Sequence, residues 1–181
     1  MHRRFVELAS EDTPLIRKGC AFRIGNFALQ LDKEHIIADL IPAFKQLAAD
    51  EQDGIRVLCI EGLIKIAGRL TKEDNQRHIL PMLLTSSEDK SWKVRLSIAK
   101  NFTELSKAFG KEITDGNLVA KFAQLLKDVE ADVRTAGVIS LKDCVRNIGV
   151  EKVQSILFPA LQSLVQDSSF NVKGKICFMI I

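Results

Sequence analysis

A basic residue returns every 39 positions along the chain, at Arg17, Arg56, Arg95, Arg134 and Lys173. Immediately before it stands Ile16, Ile55, Val94, Val133 or Val172, and six places before it Glu11, Asp50, Asp89, Asp128 or Asp167. A spacing held five times without insertion points to a repeat architecture, in which each unit touches only its neighbours. The approximate units are 1–34, 35–73, 74–112, 113–151 and 152–181, the first and last incomplete, in a single array.

Each unit reads as two helices joined by a polar turn. In the second unit Ile36, Ile37, Leu40, Ile41, Phe44 and Leu47 recur at spacings of three and four, which makes an amphipathic helix A ending near Ala49. After the turn Asp50-Glu51-Gln52-Asp53-Gly54, a second apolar face runs through Leu58, Cys59, Leu63, Ile66, Ala67 and Leu70, giving helix B. Ile24, Leu63, Phe102, Leu141 and Ile180 share one column of helix B. Alternation with period two is sustained nowhere, so the expected fold is all-α, an α-solenoid of about five antiparallel helix pairs.

Local signals mark the boundaries. Thr71-Lys72-Glu73-Asp74 has the pattern of a capping box, and Asp32 and Thr114 stand where caps are expected. Gly110 and Gly149 share a column after helix B, where a left-handed residue suits glycine. Pro42, Pro81 and Pro159 fall in register inside helix A, so a kink is expected in those units and a straighter helix in the fourth, where Ala120 stands instead. The array starts within a helix A and stops within a helix B, with no polar outer faces. It is therefore expected to be a piece of a longer solenoid; the alternative is a small protein pairing its ends with a second copy.

The polar columns divide by role. Glu11, Asp50, Asp89, Asp128 and Asp167 with Arg17, Arg56, Arg95, Arg134 and Lys173 are expected to form a structural ladder along one edge. There each guanidinium can reach the carboxylate of its own or the adjacent unit. The column three places before the basic residue reads Pro14, Asp53, Trp92, Ala131 and Phe170, too varied for a shared core position. Turn tips that differ from unit to unit suit a contact surface for a protein partner, with Trp92 as its anchor.

Other functions find little support. A net charge of +3, with 27% charged and 46% hydrophobic residues, is ordinary for a folded protein and argues against a nucleic-acid footprint. The apolar ending 176–181 is far shorter than a membrane span. His2, His35 and His78 are too scattered for a metal site, and no phosphate loop or nucleophile motif occurs. No enzyme activity and no cofactor is expected. Cys20, Cys59, Cys144 and Cys177 form no C-x-x-C pair and fall on apolar helix positions, so all four are expected to be buried reduced thiols in a cytoplasmic or nuclear protein.

The helix pair with a proline in helix A and Asp…Val-Arg at the turn resembles a HEAT repeat. The stretches 11–18, 50–53, 88–95, 102–105 and 112–114 go further and are similar to the middle repeats of the 65-kDa scaffold subunits of protein phosphatase 2A. That resemblance implies a non-catalytic scaffold whose intra-repeat turns bind a regulatory B subunit, with the catalytic subunit held by later repeats missing from this chain. Carried over residue by residue, it assigns Pro14, Arg17, Lys18, Ser91 and Trp92 to the regulatory-subunit surface. Glu51, Gln52, Asp53, Lys90 and Lys93 are their turn neighbours. Two alternatives use the same repeat. A transport receptor cradling cargo on helix B predicts acidic faces, whereas Arg23, Lys65, Arg69, Lys100, Lys107, Lys142 and Arg146 make these basic. An iron hydroxylase of HEAT-like repeats needs His-Glu pairs, and only the reversed Glu34-His35 occurs.

Overall fold

The computed structural model describes residues 2–180, with the side chains of His2, Met179 and Ile180 outside that description. The last member of the helix-B column, Ile180, therefore lies outside the described side chains. Among the described residues every regular element is helical.

The first repeat pairs His2–Ala9 with Pro14–Ala28, and the second pairs 33–48 with Asp53–Ala67. Helix A of the third repeat covers 72–87, and its helix B runs over 92–109 with a break at Asn101. The fourth pairs 111–125 with Ala131–Cys144, and the fifth pairs 150–164 with Phe170–Ile180. By packing, the chain divides into two compact units, Met1–Ser86 and Ser87–Ile181. Phe44, Leu47, Ile55 and Leu63 are buried in the core of the first; Phe102, Phe109, Phe122 and Leu141 are buried in that of the second. In the second, the rings of Phe102 and Phe122 stack with centroids 4.0 Å apart.

Helix A carries a feature that periodicity does not announce. Its second turn is a π turn in each of the last four repeats, at Ile36–Leu40, Asn75–Ile79, Thr114–Leu118 and Val153–Leu157. Ile41, Leu80, Val119 and Phe158 each donate the backbone N–H to the carbonyl five residues back. The expectation of a straighter helix at Ala120 is corrected here, because the fourth repeat has the same π turn without the proline. The widened turn is a property of the repeat. Proline is tolerated two residues beyond it because the run of hydrogen bonds is already interrupted there. In two repeats the first residue of the turn also reaches back to the preceding helix B. Asn75 Nδ2 donates to the Ala67 carbonyl at 2.8 Å, and Thr114 Oγ1 donates to the Ser106 carbonyl at 3.3 Å.

The boundary signals resolve unevenly. Thr71 and Asp74 form the capping box, Thr71 Oγ1 accepting the Asp74 N–H at 3.2 Å. Asp32 occupies an N-cap position without a side-chain capping bond, and Thr114 is no cap, since its hydroxyl donates to the Ser106 carbonyl of the preceding helix B. Gly110 has φ 76° and ψ 168°, a region open only to glycine, and it separates helix B of the third repeat from the next helix A. Gly149 differs from its column partner: it is extended at φ −67°, and its N–H donates to Asp115 Oδ1 at 2.8 Å. Three thiols are buried as expected, but Cys177 is exposed. Burial pushes the Cys59 and Cys144 thiols up to about 12, so both stay protonated and inert at neutral pH.

Helix B of the first repeat crosses helix B of the second at a glycine pair. A methyl group on Gly25 would meet the Gly62 Cα at 2.9 Å, and that atom is backbone. Alanine in a helix interior gains roughly 1 kcal/mol over glycine, whereas overpacking costs roughly 1–3 kcal/mol where the neighbour cannot yield. Gly25→Ala is therefore expected to lower the thermal midpoint, and Gly19→Ala, with open space at its Cβ, to raise or preserve it. Equal shifts for the two in a circular-dichroism melt would refute the close approach.

Candidate functional site

The turn edge is organised by a repeated three-way arrangement. Arg17 Nε donates to Asp50 Oδ2 at 2.6 Å, while its Nη1 donates to the carbonyls of Glu11 and Asp12 at 2.9 and 2.8 Å. Arg95 repeats this with Asp128 Oδ2 at 2.6 Å and the Asp89 carbonyl at 2.7 Å. Arg134 does so with Asp167 Oδ2 at 2.7 Å and the Asp128 carbonyl at 2.7 Å. Arg56 Nη1 donates to the carbonyls of Asp50 and Glu51 at 2.7 and 3.1 Å. Each of the three pairs thus joins the carboxylate of the following repeat to the backbone of the arginine's own turn. Glu11 takes part through its carbonyl, and Lys173 lies over the Phe170 ring at 4.7 Å.

The aspartates have a second task that the spacing concealed. Asp50, Asp89, Asp128 and Asp167 each accept, through Oδ1, the N–H two residues on: Gln52, Ser91, Glu130 and Ser169, at 2.8–2.9 Å. This is the Asx turn, in which a short carboxylate mimics a backbone turn. An Asp opening a polar loop just before a helix is the signal that could have revealed it. The carboxylates of Asp50, Asp128 and Asp167 therefore each close their own turn and grip the preceding repeat.

These groups are largely shielded from water, with side-chain exposures of 4%, 7% and 6% at Asp50, Asp128 and Asp167. Burial alone would raise the Asp50 and Asp128 carboxyls. The bonds from Arg17 or Arg95, and from the Gln52 or Glu130 N–H, outweigh it and hold both below the usual carboxylate range. At Asp167 the bond from Arg134 dominates, with the same outcome.

The predicted surface residues separate into groups. In the first unit Pro14 opens helix B and is exposed, as are Lys18, Glu51 and Gln52, while Asp53 is half-buried. Arg17 stands apart from them, its fork committed to Asp50 and to the turn carbonyls. In the second unit Lys90 and Lys93 are exposed, Ser91 is half-buried at the N-cap, and Trp92 begins helix B with 38% of its surface accessible. On the same edge lie Phe170, already in the turn-tip column, and Val129, which is not; they are 85% and 86% exposed. Leu15 in the first unit is also open, at 77%. Among the described residues, no group of three or more His, Cys, Asp or Glu side chains is placed to hold a metal ion. Nor is any described helix long and apolar enough to cross a membrane.

Two family models match consecutive stretches: "HEAT repeat" over residues 79–109 and "PPP2R1A-like HEAT repeat" over 111–181. The chain belongs to the HEAT-repeat family. Among curated relatives, this HEAT-repeat chain is 36% identical over 184 residues to the beta isoform of the human serine/threonine-protein phosphatase 2A 65 kDa regulatory subunit. That alignment takes in 99% of the chain and 31% of the relative. The corresponding PP2A regulatory subunit of Schizosaccharomyces pombe is 30% identical over 114 residues, 62% of the chain and 19% of that protein. The chain thus spans less than a third of the length of either relative. Among solved structures, Cex1p matches 98% of the chain and 34% of its own with a TM-score of 0.82 at 18% identity, a likeness of fold alone.

Proposed function

We propose that this HEAT-repeat chain is a non-catalytic scaffold segment of a phosphatase 2A-type assembly, and that its intra-repeat turns receive a regulatory B subunit. The carrying observation is the division of labour at each turn. Asp89 and Arg95 hold the backbone that leads into Trp92, through the Ser91 N–H and the Asp89 carbonyl, so an exposed indole is presented on a fixed support. Rigid aromatic anchors on preorganised backbone lose little entropy on binding. The relatives' names, regulatory subunits of a phosphatase, supply the class of assembly. Within it Pro14, Lys18, Glu51, Gln52 and Asp53 form the first-unit contribution, and Lys90, Ser91, Trp92 and Lys93 the second. The catalytic subunit would be held by repeats outside this chain. Basic helix-B faces speak against the transport-receptor alternative.

Trp92→Ala is expected to weaken capture of a purified regulatory B subunit by about 2 kcal/mol, roughly thirtyfold, with the helical signal of the chain unchanged. Calorimetric titration measures it. Unaltered affinity would remove Trp92 from the interface and the turn edge from the proposal.

A further inference from the structure

Away from the turns, helix B of the third repeat and helix B of the fourth, both in the second unit, border a groove of about 590 Å³. Its floor is fixed by hydrogen bonds that cross between the helices. Thr103 Oγ1 donates to the Ser140 carbonyl at 3.2 Å, and Ser140 Oγ donates to the Ala99 carbonyl at 2.8 Å. Asn147 Nδ2 donates to Ser106 Oγ at 2.9 Å. Such a floor is formed before any ligand arrives.

Ile139 lines this groove and is 56% exposed although its flanking residues Val138 and Ser140 are buried. It also lines an adjoining cleft with Phe178, the residue one repeat further along the same helix-B column, likewise exposed. Cations surround this apolar line: Lys100 and Arg146 in the groove, Lys142 and Lys175 in the cleft. Of the two carboxylates present, Glu104 is occupied by Lys107 at 2.7 Å, which leaves Asp143 against four cations.

We propose that this helix-B face binds an acidic peptide segment, seating one apolar side chain against Ile139 and Phe178 with its carboxylates on Lys100, Lys142, Arg146 and Lys175. Charge complementarity selects the sign of the ligand, and the apolar line selects its chemistry. A single-stranded nucleic acid would want a series of aromatic platforms, and its phosphates would meet Glu104 and Asp143. A peptide instead offers a backbone N–H to Asp143, since Glu104 is taken by Lys107. The surface shares no residue with the turn edge, so it stands or falls independently of the scaffold reading.

The test uses the whole chain and a short fluorescein-labelled peptide of glutamates and aspartates around one leucine, followed by fluorescence anisotropy. Saturable binding is expected, weakening as salt rises. The double variant Lys100→Glu/Arg146→Glu is expected to lose at least about tenfold in affinity, since like charges across an interface are strongly disfavoured. The neutral pair Lys100→Gln/Arg146→Gln should fall between the two, and Ile139→Ser should weaken binding severalfold. All three positions are exposed or line the rim, and Trp92→Ala should leave this binding unchanged. Three results would overturn the proposal: charge reversal without effect, a serine-for-leucine peptide binding equally well, or oligothymidylate binding more tightly than the peptide.

Discussion

Asp128→Ala is expected to destabilise the second unit by about 3 kcal/mol, the lower part of the range for breaking a shielded ion pair by removing one partner. The substitution strands Arg95, which keeps its bonds to the carbonyls of Asp89 and Lys90 but loses both to the carboxylate. It also frees the Glu130 N–H, which Asp128 Oδ1 holds at 2.9 Å. Asp128→Asn keeps the turn-closing acceptor and loses the charge, so its cost should be intermediate. Chemical denaturation measures the total, and hydrogen exchange at the Glu130 amide reports the turn alone. A loss below about 0.5 kcal/mol, ordinary for a surface substitution, would sink the claim. The pH dependence supplies a second check. The carboxyls of Asp50, Asp128 and Asp167 sit below their ordinary value in the folded chain. The unfolded chain therefore takes up protons first. The stability they contribute is complete above the unfolded value of about 4 and disappears as pH falls through the folded values. The parent and Asp128→Ala should thus differ most at neutral pH and converge in acid.

Phe122→Ala should cost still more, about 4 kcal/mol, as is usual when a fully buried aromatic is truncated to a methyl. Phe122 has no accessible surface, and its ring lies 4.0 Å from that of Phe102, so the change opens a cavity and strips one face of its neighbour. Phe170→Ala is the matched control. At 85% exposure that ring should be removable within about 0.5 kcal/mol. Urea midpoints of the two variants should therefore separate widely. Similar midpoints would mean that the second unit does not rest on the Phe102–Phe122 stack.

Much of this was legible in advance because it depends on spacing. The 39-residue step locates helices, turns and the acidic–basic columns, and Thr71 to Asp74 announces its capping box. Spacing alone left open which carboxylate each arginine would choose. Asp89 and Asp128 are both within reach of Arg95, and only three-dimensional packing sends its fork to Asp128 and its remaining nitrogen to the Asp89 carbonyl. The π turns were hidden for a different reason. They require a hydrogen-bond register five residues long, which changes no hydrophobic period. Pro42 and Pro81 marked the place but suggested the wrong cause, as Ala120 shows. Among the candidate site residues, exposure separated Arg17 from Pro14 and Lys18, set Phe170 of the turn-tip column in the open, and added Val129.

The reach of Arg17, Arg95 and Arg134, 33 residues forward to an aspartate and six residues back to a carbonyl, has a consequence for how such a gene can change. The two reaches add up to one period. Duplicating a whole period brings in one new donor and one new acceptor, and every existing partnership survives the insertion. A gain or loss of any other length between an arginine and its aspartate leaves one of each stranded. The arrangement lets the array lengthen by copying while the exposed turn tips, such as Pro14, Trp92 and Phe170, diverge to suit different partners.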